Sequence, residues 1–211
     1  MSSKSTNQME GRIVYDVTFP YEANTIMMDL FPKEMVIHFK GNKMHGEVKS
    51  SYEMLTSDFV IDNNAMTMTH MLKNMGERYA LNLQGDDVAA WLKQYPSMRL
   101  EQTTETVNIA GYVCNKTLAH FPNDSLPKIE LYHTKGLGID NRNWWNQYSG
   151  IEGFLLGYDI EQYGKRMRMR AREVHFEQIS DEQFTVPQNY KQVDMPEMSR
   201  QLMAVVDEFI Q

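Results

Sequence analysis

The sequence predicts a mainly β (α+β) protein built on one large antiparallel sheet of about eleven strands. Apolar and polar residues alternate in short segments along most of the chain, as they do in strands that bury one face. Turn-forming pairs such as Gly41-Asn42 and Asn63-Asn64 separate these segments at hairpin spacing. Only two segments show convincing helical periodicity. We therefore expect one sheet that wraps around its own apolar face.

Composition and charge narrow the class of protein. Hydrophobic residues make up 42% of the 211 residues, which excludes wholesale disorder. We expect a disordered leader or cloning remnant over residues 1–8 and a single domain over residues 9–211. The net charge of −7 argues against a nucleic-acid partner. No apolar run approaches the ~20 residues of a membrane span, and the single cysteine, Cys114, excludes an intramolecular disulfide.

The first hairpin is predicted to follow an opening strand over residues 9–19. A short helix or irregular crossing is expected over residues 21–31, between Pro20 and Pro32. A two-residue turn at Gly41-Asn42 then fixes the register. It pairs Met35 with Val48, Ile37 with Gly46 and Phe39 with Met44.

Two further hairpins can be registered in the same way. The second turns at Asn63-Asn64 and pairs Leu55 with Leu72, Phe59 with Met68 and Ile61 with Met66. The third turns at Tyr163-Gly164 and pairs Leu156 with Ala171, Tyr158 with Met169 and Ile160 with Met167. Beyond Ala171 the apolar residues move from odd to even positions, at Val174 and Phe176. This change of phase predicts a β-bulge.

The remaining elements are four strands and two helices. Strands are predicted over residues 79–83, 98–109, 112–121 and 128–134. Asp87 is expected to cap a helix over residues 88–95. The sequence Asp194-Met195-Pro196-Glu197 resembles a capping box and predicts a C-terminal helix. Its apolar stripe consists of Met198, Leu202, Val205, Val206 and Phe209.

Two side-chain pairs resemble sites of chemistry. His38 and His45 lie opposite each other in the first hairpin, but a zinc site needs a third protein ligand. Ser57 and His70 lie opposite each other in the second hairpin, while Asp58 points to the other face of the strand. We expect solvated histidines and a Ser–His hydrogen bond, with no catalytic residue, metal or cofactor. A hydrolase that uses Ser57 and His70 is the remote alternative.

Four arginines form a ladder along one strand face, at Arg166, Arg168, Arg170 and Arg172. Glu161 and Asp159 are predicted to neutralise the first two. Arg170 and Arg172 have no partner visible in the sequence, so they are candidates for contact with an anion or a partner. Trp144 and Trp145 lie in a polar, glycine-flanked loop and are candidates for covering the mouth of a cavity or for contact with a partner. The alternative is that the two tryptophans cap the core.

Seventeen methionines are the most unusual feature of the composition. Flexible thioether side chains suit surfaces that adapt to apolar ligands, although a methionine-rich core explains the count equally well. The candidate lining residues of an apolar cavity are Met35, Ile37, Phe39, Met44, Phe59, Met66, Met68, Tyr158, Met167 and Met169. Cys114, in the middle of a strand, is expected to be a packed side chain.

Four segments carry a resemblance to a known family. Residues 109–116 (IAGYVCNK) are similar to the family's "IAGYKCKK" strand, and residues 132–135 (YHTK) resemble its "YT" strand end. Residues 150–156 (GIEGFLL) are similar to its "GLPGLIL" signature, with Glu152 in place of proline. Residues 184–191 (FTVPQNYK) resemble its closing motif. In these places the chain resembles a family of Gram-negative cell-envelope proteins of undefined function, many of them lipoproteins.

The resemblance implies a fold similar to the LolA/LolB lipoprotein carriers, an antiparallel half-barrel closed by helices around an apolar cavity. It also implies a periplasmic protein or an outer-membrane-anchored lipoprotein whose export signal has been removed. An empty apolar cavity of ~500 Å³ would cost ~12 kcal/mol, so it must be filled by side chains, hold water on polar lining groups, or contain an apolar guest. We expect a non-enzymatic binding protein for an acyl chain or lipid. The alternative is an envelope interaction protein with a packed, ligand-free core.

Overall fold

One large sheet forms most of the computed structural model, which describes residues 9–20, 31–49, 55–122, 126–138, 143–162 and 165–210. The predicted leader and most of the crossing before Pro32 lie outside these residues. The strands are β1 Glu10–Thr18, β2 Glu34–Lys40, β3 Lys43–Lys49, β4 Leu55–Asp62, β5 Thr67–Asn74, β6 Glu77–Gln84, β7 Arg99–Ile109, β8 Tyr112–His120, β9 Ile129–Thr134, β10 Phe154–Gln162, β11 Lys165–Phe176 and β12 Lys191–Gln192. The helices are α1 Asp86–Leu92 and α2 Met195–Ile210, with a 3₁₀ turn at Asp181–Phe184.

The strands form a single open sheet in the order β12-β6-β5-β4-β3-β2-β1-β11-β10-β9-β8-β7. All pairings are antiparallel except that of β12, which adds two residues in parallel to β6. The prediction of a mainly β protein with one large antiparallel sheet is confirmed. The parallel edge strand was not predicted, because a two-residue segment has no alternation to detect. None of the described helices is both long and apolar enough to cross a membrane.

The sheet is strongly curved. Residues of β7 come within 8 Å of β11, although three strands separate them in the hydrogen-bonded order. In a flat sheet these two strands would lie about 19 Å apart. We call the face that carries Tyr15, Phe39 and Tyr158 the inner face and the opposite one the outer face. Side chains of α1 and α2, including Trp91 and Met198, belong to the same core as the inner face.

Two of the three predicted hairpin registers are correct in the pairs that the structure describes. Phe39 lies opposite Met44 in the first hairpin, and Tyr158 lies opposite Met169 in the third. The predicted bulge is confirmed on β11. Val14 pairs with Glu173 and Tyr15 pairs with Ala171, so that Arg172 is the extra residue. The bulge explains why the apolar positions change phase between Ala171 and Val174.

The predicted register of the second hairpin is wrong by two residues. Ile61 pairs with Met68, and Phe59 pairs with His70, because the loop has four residues and not two. The Asp62 carboxylate holds this loop by accepting hydrogen bonds from the backbone N–H groups of the second and third residues after it, at 2.9 and 3.0 Å. Met66 lies in the loop and is 44% exposed, so it is not on the inner face as predicted. Because the shift is two residues, all the remaining side chains of this hairpin stay on their predicted faces.

The helix boundaries agree in part with the prediction. α1 begins after Gly85, whose φ of 55° lies in the left-handed region, and ends at Leu92, so it is shorter than predicted. At α2 the predicted cap is confirmed, because the Asp194 carboxylate accepts a hydrogen bond from the Glu197 N–H at 2.9 Å. Met198 and Leu202 are buried, as the predicted stripe requires. The side chains of the other three stripe residues lie outside the described set.

The segment between β11 and β12 crosses the outer face, and we call residues 177–190 the strap. Its first residue donates a backbone hydrogen bond to the Glu10 carbonyl at 3.3 Å. The strap then passes over β2 and β3, where the 3₁₀ turn contacts β3. Ile179 and Phe184 are its buried residues. The strap therefore gives the outer face a second, thinner layer of burial.

Candidate functional site

The predicted cavity-lining residues are brought together on the inner face, with Met66 as the exception. Seven of them are 8% exposed or less: Met35, Ile37, Phe39, Met44, Met68, Tyr158 and Met169. Phe59 and Met167 are half-buried. Whether any of these residues binds a ligand remains a prediction.

The chain's own aromatic side chains fill the space above these residues. The ring centroids of Tyr148 and Tyr15 lie 6.2 and 6.1 Å from that of Tyr158, both edge-on. Phe154 packs on Phe39 with ring centroids 5.8 Å apart. The Tyr15 hydroxyl donates to a buried backbone carbonyl of β10 at 2.9 Å, so its polar end is satisfied. At these positions the inner face is a packed core.

Ser57 and His70 form the predicted hydrogen bond, with 3.0 Å between Ser57 Oγ and His70 Nε2. The His70 ring is stacked on Phe59 at 4.4 Å and meets the edge of Trp91 at 5.7 Å. Burial in this aromatic setting lowers the pKa of His70 to about 3. Such an imidazole is a weak base at neutral pH. Among the described residues no group bonds His70 Nδ1, and Asp58 lies on the outer face, so the orienting acid of a triad is missing.

The loop over residues 143–153 closes one end of the inner face. The Trp144 indole donates to Asn63 Oδ1 at 2.8 Å, which ties this loop to the β4–β5 loop. Trp145 lies beside Phe59, with ring centroids 6.5 Å apart. Both tryptophans are half-buried. This placement supports the capping alternative and still leaves part of each ring accessible.

The glycine-rich signature segment forms the end of this loop. Gly153 has a φ of 87°, and a Cβ there would lie 2.4 Å from the Thr134 carbonyl oxygen. Only glycine fits at this position. Asn143 is buried and donates to the backbone carbonyls of Ile151 and Gly153 at 2.8 and 3.0 Å. These contacts hold the loop in place.

On the outer face, Gln183 of the strap connects the two facing histidines. Its Nε2 lies 3.2 Å from His38 Nδ1 and 3.0 Å from His45 Nδ1. Burial lowers the pKa of both imidazoles. The expectation of two solvated histidines is wrong for His45, which is 8% exposed beneath the strap. Among the described residues, no three His, Cys, Asp or Glu side chains cluster in a way that could hold a metal ion.

Asp58 is the second titratable group buried on the outer face. It is 7% exposed and lies opposite Glu47 across β3 and β4. Burial, followed by the charge of Glu47, raises the pKa of Asp58 to about 7. Asp58 Oδ1 has no hydrogen-bond partner among the described residues.

The arginine ladder is held by several different contacts. Arg168 makes the predicted pair with Asp159, through two bonds of 2.9 and 3.0 Å. Arg166 is buried and donates to the Pro127 carbonyl at 3.2 Å. Arg172 is not the free cation that we predicted. It contacts three carboxylates, of Asp16 at 2.5 Å, Glu34 at 3.0 Å and Glu173 at 3.2 Å.

Arg170 differs from the other members of the ladder. Its guanidinium lies over the ring of Tyr132, 4.7 Å from the centroid, and it makes no ion pair with a described residue. It lines an outer-face cleft of about 270 Å³ formed by β9, β10, β11 and the residues just before β9. Cys114 is fully buried in the hydrophobic core, where burial raises the pKa of its thiol to about 11, so it is a poor nucleophile.

Comparisons with known proteins show the fold and no family. No protein-family model and no curated protein matches the sequence. The fold is similar to that of PNGF-II, with a TM-score of 0.58 and 15% identity over 92% of this chain and 32% of that one. The chain thus spans about a third of PNGF-II. More distant structures include the Pseudomonas aeruginosa MucA/MucB complex (TM-score 0.36, 9% identity, 89% and 59% coverage) and a beta-barrel-like protein of domain of unknown function DUF1849 from Brucella abortus (0.35, 8%, 81% and 98%).

Proposed function

We propose that the chain is a non-enzymatic interaction protein of the cell envelope, whose LolA/LolB-like half-barrel is filled by its own side chains. One observation carries the proposal. The inner face, which would bind an acyl chain in a carrier, is covered by Tyr148, Phe154, Trp91 and Met198 of the same chain. These side chains take the place of the guest that an empty apolar cavity would require.

The proposed partner is an envelope protein that contacts the tryptophan loop. Trp144 and Trp145 are half-buried, and large aromatic rings held in a defined position are typical anchors of protein interfaces. Under this proposal the protein resides in the periplasm or is anchored to the outer membrane as a lipoprotein. Both locations follow from the resemblance to the envelope family and are testable by cell fractionation.

Partner capture with matched variants tests this function. Cross-linking in intact cells followed by purification is expected to recover an envelope protein with the wild-type chain. Replacing both tryptophans by alanine is expected to abolish this capture, while Trp144→Phe retains it because the ring is kept. Val113→Ala serves as the control, because Val113 is 66% exposed on β8. Unchanged capture by the double alanine variant, with an unchanged Tm, would exclude the tryptophan loop as the contact.

A hydrophobic ligand is the second candidate function, and one observation favours it. Phe59, Ile160 and Met167 lie on the inner face but are only half-buried, which leaves apolar surface within reach of a guest. Native mass spectrometry of freshly purified protein, with a fluorescent fatty-acid uptake assay, separates the two functions. A packed interior is expected to yield no bound lipid and no uptake. A co-purifying lipid that is lost in Met167→Glu would overturn the packed-interior proposal.

A further inference from the structure

The outer-face cleft at β9–β11 is built around a glycine. Gly157 pairs with Tyr132 on one side and with Arg170 on the other, so the three residues form a row across three strands. A Cβ at position 157 would lie 3.0 Å from Tyr132 Cδ2 and 3.2 Å from Arg170 Nη1. Because glycine leaves this space open, the tyrosine ring lies across β10 and supports the guanidinium from β11. The arginine is therefore held by a ring and not by a carboxylate.

The carboxylates that the structure describes near Arg170 are engaged elsewhere. Asp159 accepts both bonds from Arg168. Glu130 contacts Lys116 at 2.9 Å and accepts from the Tyr132 hydroxyl at 2.7 Å. The Tyr132 and Lys116 hydrogen bonds lower the pKa of Glu130, so it is ionised and neutralised in place.

Two more charged groups complete the surroundings of the cleft. Asp16 faces Arg170 from β1, but its carboxylate bonds Arg172 at 2.5 Å. Lys128 lines the cleft and is exposed. Among the described residues, neither Lys128 nor Arg170 makes an ion pair. The cleft thus presents two unpaired cations on a protein whose net charge is −7.

We propose that this cleft binds the phosphate group of a small ligand, with Arg170 as the principal contact and Lys128 as the second cation. A guanidinium fixed on an aromatic ring keeps its N–H edge available and loses little side-chain entropy on binding. Two cations favour a dianionic phosphate over a singly charged carboxylate. The cleft volume of about 270 Å³ is below the ~300–1,000 Å³ of ordinary ligand pockets. It suits a phosphate ester and not an acyl chain. The proposal does not depend on the proposed function.

Binding of defined probes tests the site. Calorimetric titration of the wild-type chain with inorganic phosphate, glycerol phosphate and acetate is expected to show phosphate binding that is stronger than acetate binding. Sedimentation with vesicles of phosphatidylglycerol, compared with phosphatidylcholine, shows whether a lipid headgroup supplies the phosphate. Glycerol phosphate binding without vesicle binding indicates a free ligand, and vesicle binding that requires Arg170 indicates a headgroup.

Three variants separate a shaped site from general charge attraction. Arg170→Gln is expected to weaken phosphate binding at least about tenfold. Gly157→Ala keeps every charge but crowds the Tyr132 ring and the Arg170 guanidinium, and it is expected to weaken binding by a smaller factor than Arg170→Gln does. Arg12→Gln removes the same charge from β1, outside the cleft, and is expected to change binding less than about twofold, because the Arg12 guanidinium pairs with Glu177 of the strap. Equal losses in Arg170→Gln and Arg12→Gln, or phosphate binding that is no stronger than acetate binding, would overturn the proposal.

Discussion

The two faces of the sheet bury titratable side chains in different ways. On the inner face, His70 is enclosed by the rings of Phe59 and Trp91 and is 0% exposed. On the outer face, His45 lies beneath Gln183 of the strap, and the buried Asp58 lies near enough to Tyr190 of the strap for the two groups to interact. The first kind of burial belongs to the hydrophobic core of the whole domain. The second depends on a few hydrogen bonds and two apolar side chains of the strap.

This difference predicts two levels of stability. Loss of a core contact raises the free energy of the folded domain as a whole. Loss of a strap contact opens a segment that the sheet beneath it does not need in order to remain paired. The predictions below test this separation, beginning with the largest expected effect.

Truncation of a ring on each face gives the largest contrast. Phe39 is 0% exposed and contacts Phe154 and Phe176, so Phe39→Ala is expected to lower the free energy of unfolding by about 3–5 kcal/mol. Phe184→Ala removes the same ring from the strap and is expected to cost less than half as much. Urea denaturation followed by tryptophan fluorescence measures both. Equal losses would show that the strap belongs to the same cooperative core.

The same contrast decides what could be predicted from the sequence. Inner-face residues alternate along strands, so their face was predictable even where the register was not, as at Met68. Loop length was not predictable, because Asn63-Asn64 suits a two-residue turn while the Asp62 carboxylate stabilises a longer loop. Because the register error was two residues, the predicted set of inner-face residues was correct except for Met66.

The outer face depends on residues that are far apart in sequence. Arg172 finds its carboxylates on β1 and β2, and His45 is covered by Gln183, 138 residues later in the chain. No local pattern signals such contacts. The role of Gly157 in the cleft could not be predicted either, because the sequence does not show that Tyr132 lies beside it on the neighbouring strand. The arginine ladder was predictable, as was the lack of an ion pair between Arg170 and the described residues, but the carboxylates around Arg172 were not.

Acid is expected to destabilise the protein through His70. Its lowered pKa means that the imidazole binds a proton less tightly in the folded chain than in the unfolded chain. The contribution of His70 to the free energy of unfolding is therefore complete above pH 6.5 and is lost as the pH falls towards about 3. Between pH 7 and pH 5 this loss is expected to reach about 2 kcal/mol. His70→Gln, which retains a partner for Ser57, is expected to reduce the pH dependence by that amount. An imidazole that titrates near pH 6.5 by NMR would contradict the core assignment.

Asp58 is expected to act in the opposite direction. Its raised pKa means that the carboxyl binds a proton more tightly in the folded chain than in the unfolded chain. The contribution of protonated Asp58 to the free energy of unfolding is therefore complete below pH 3.8 and is lost as the pH rises through about 7. Asp58→Asn, which removes the ionising carboxylate, is expected to stabilise the protein at pH 8 and to give little gain at pH 4. Glu47→Gln is the control and is expected to stabilise the protein less at pH 8, because the charge of Glu47 raises the pKa of Asp58 less than burial does. Denaturation curves at the two pH values measure both variants.

The smallest expected effect is local and concerns the strap. Gln183 Nε2 donates to two imidazoles, and each must be unprotonated at Nδ1 to accept. Both pKa values are lowered, so this contribution is complete above pH 6.5 and is lost as the pH falls. The charged groups around His38 and His45 are Arg12, Glu47, Lys49 and Glu177. Gln183→Ala is expected to cost about 1 kcal/mol and to speed amide exchange in the strap while exchange in β10 stays unchanged.

Replacing the same side chain by glutamate reverses the sign of this effect. A carboxylate at position 183 accepts from the two imidazoles only when they are protonated at Nδ1, so Gln183→Glu is expected to hold the strap more firmly at pH 5 than at pH 8. Hydrogen exchange of the Ile179 amide, which donates to Glu10 at 3.0 Å, reports the strap directly. If exchange in Gln183→Glu and Gln183→Ala shows the same pH dependence, the histidines do not control the strap. The outer face would then be closed by its apolar contacts alone, in the manner of the inner face.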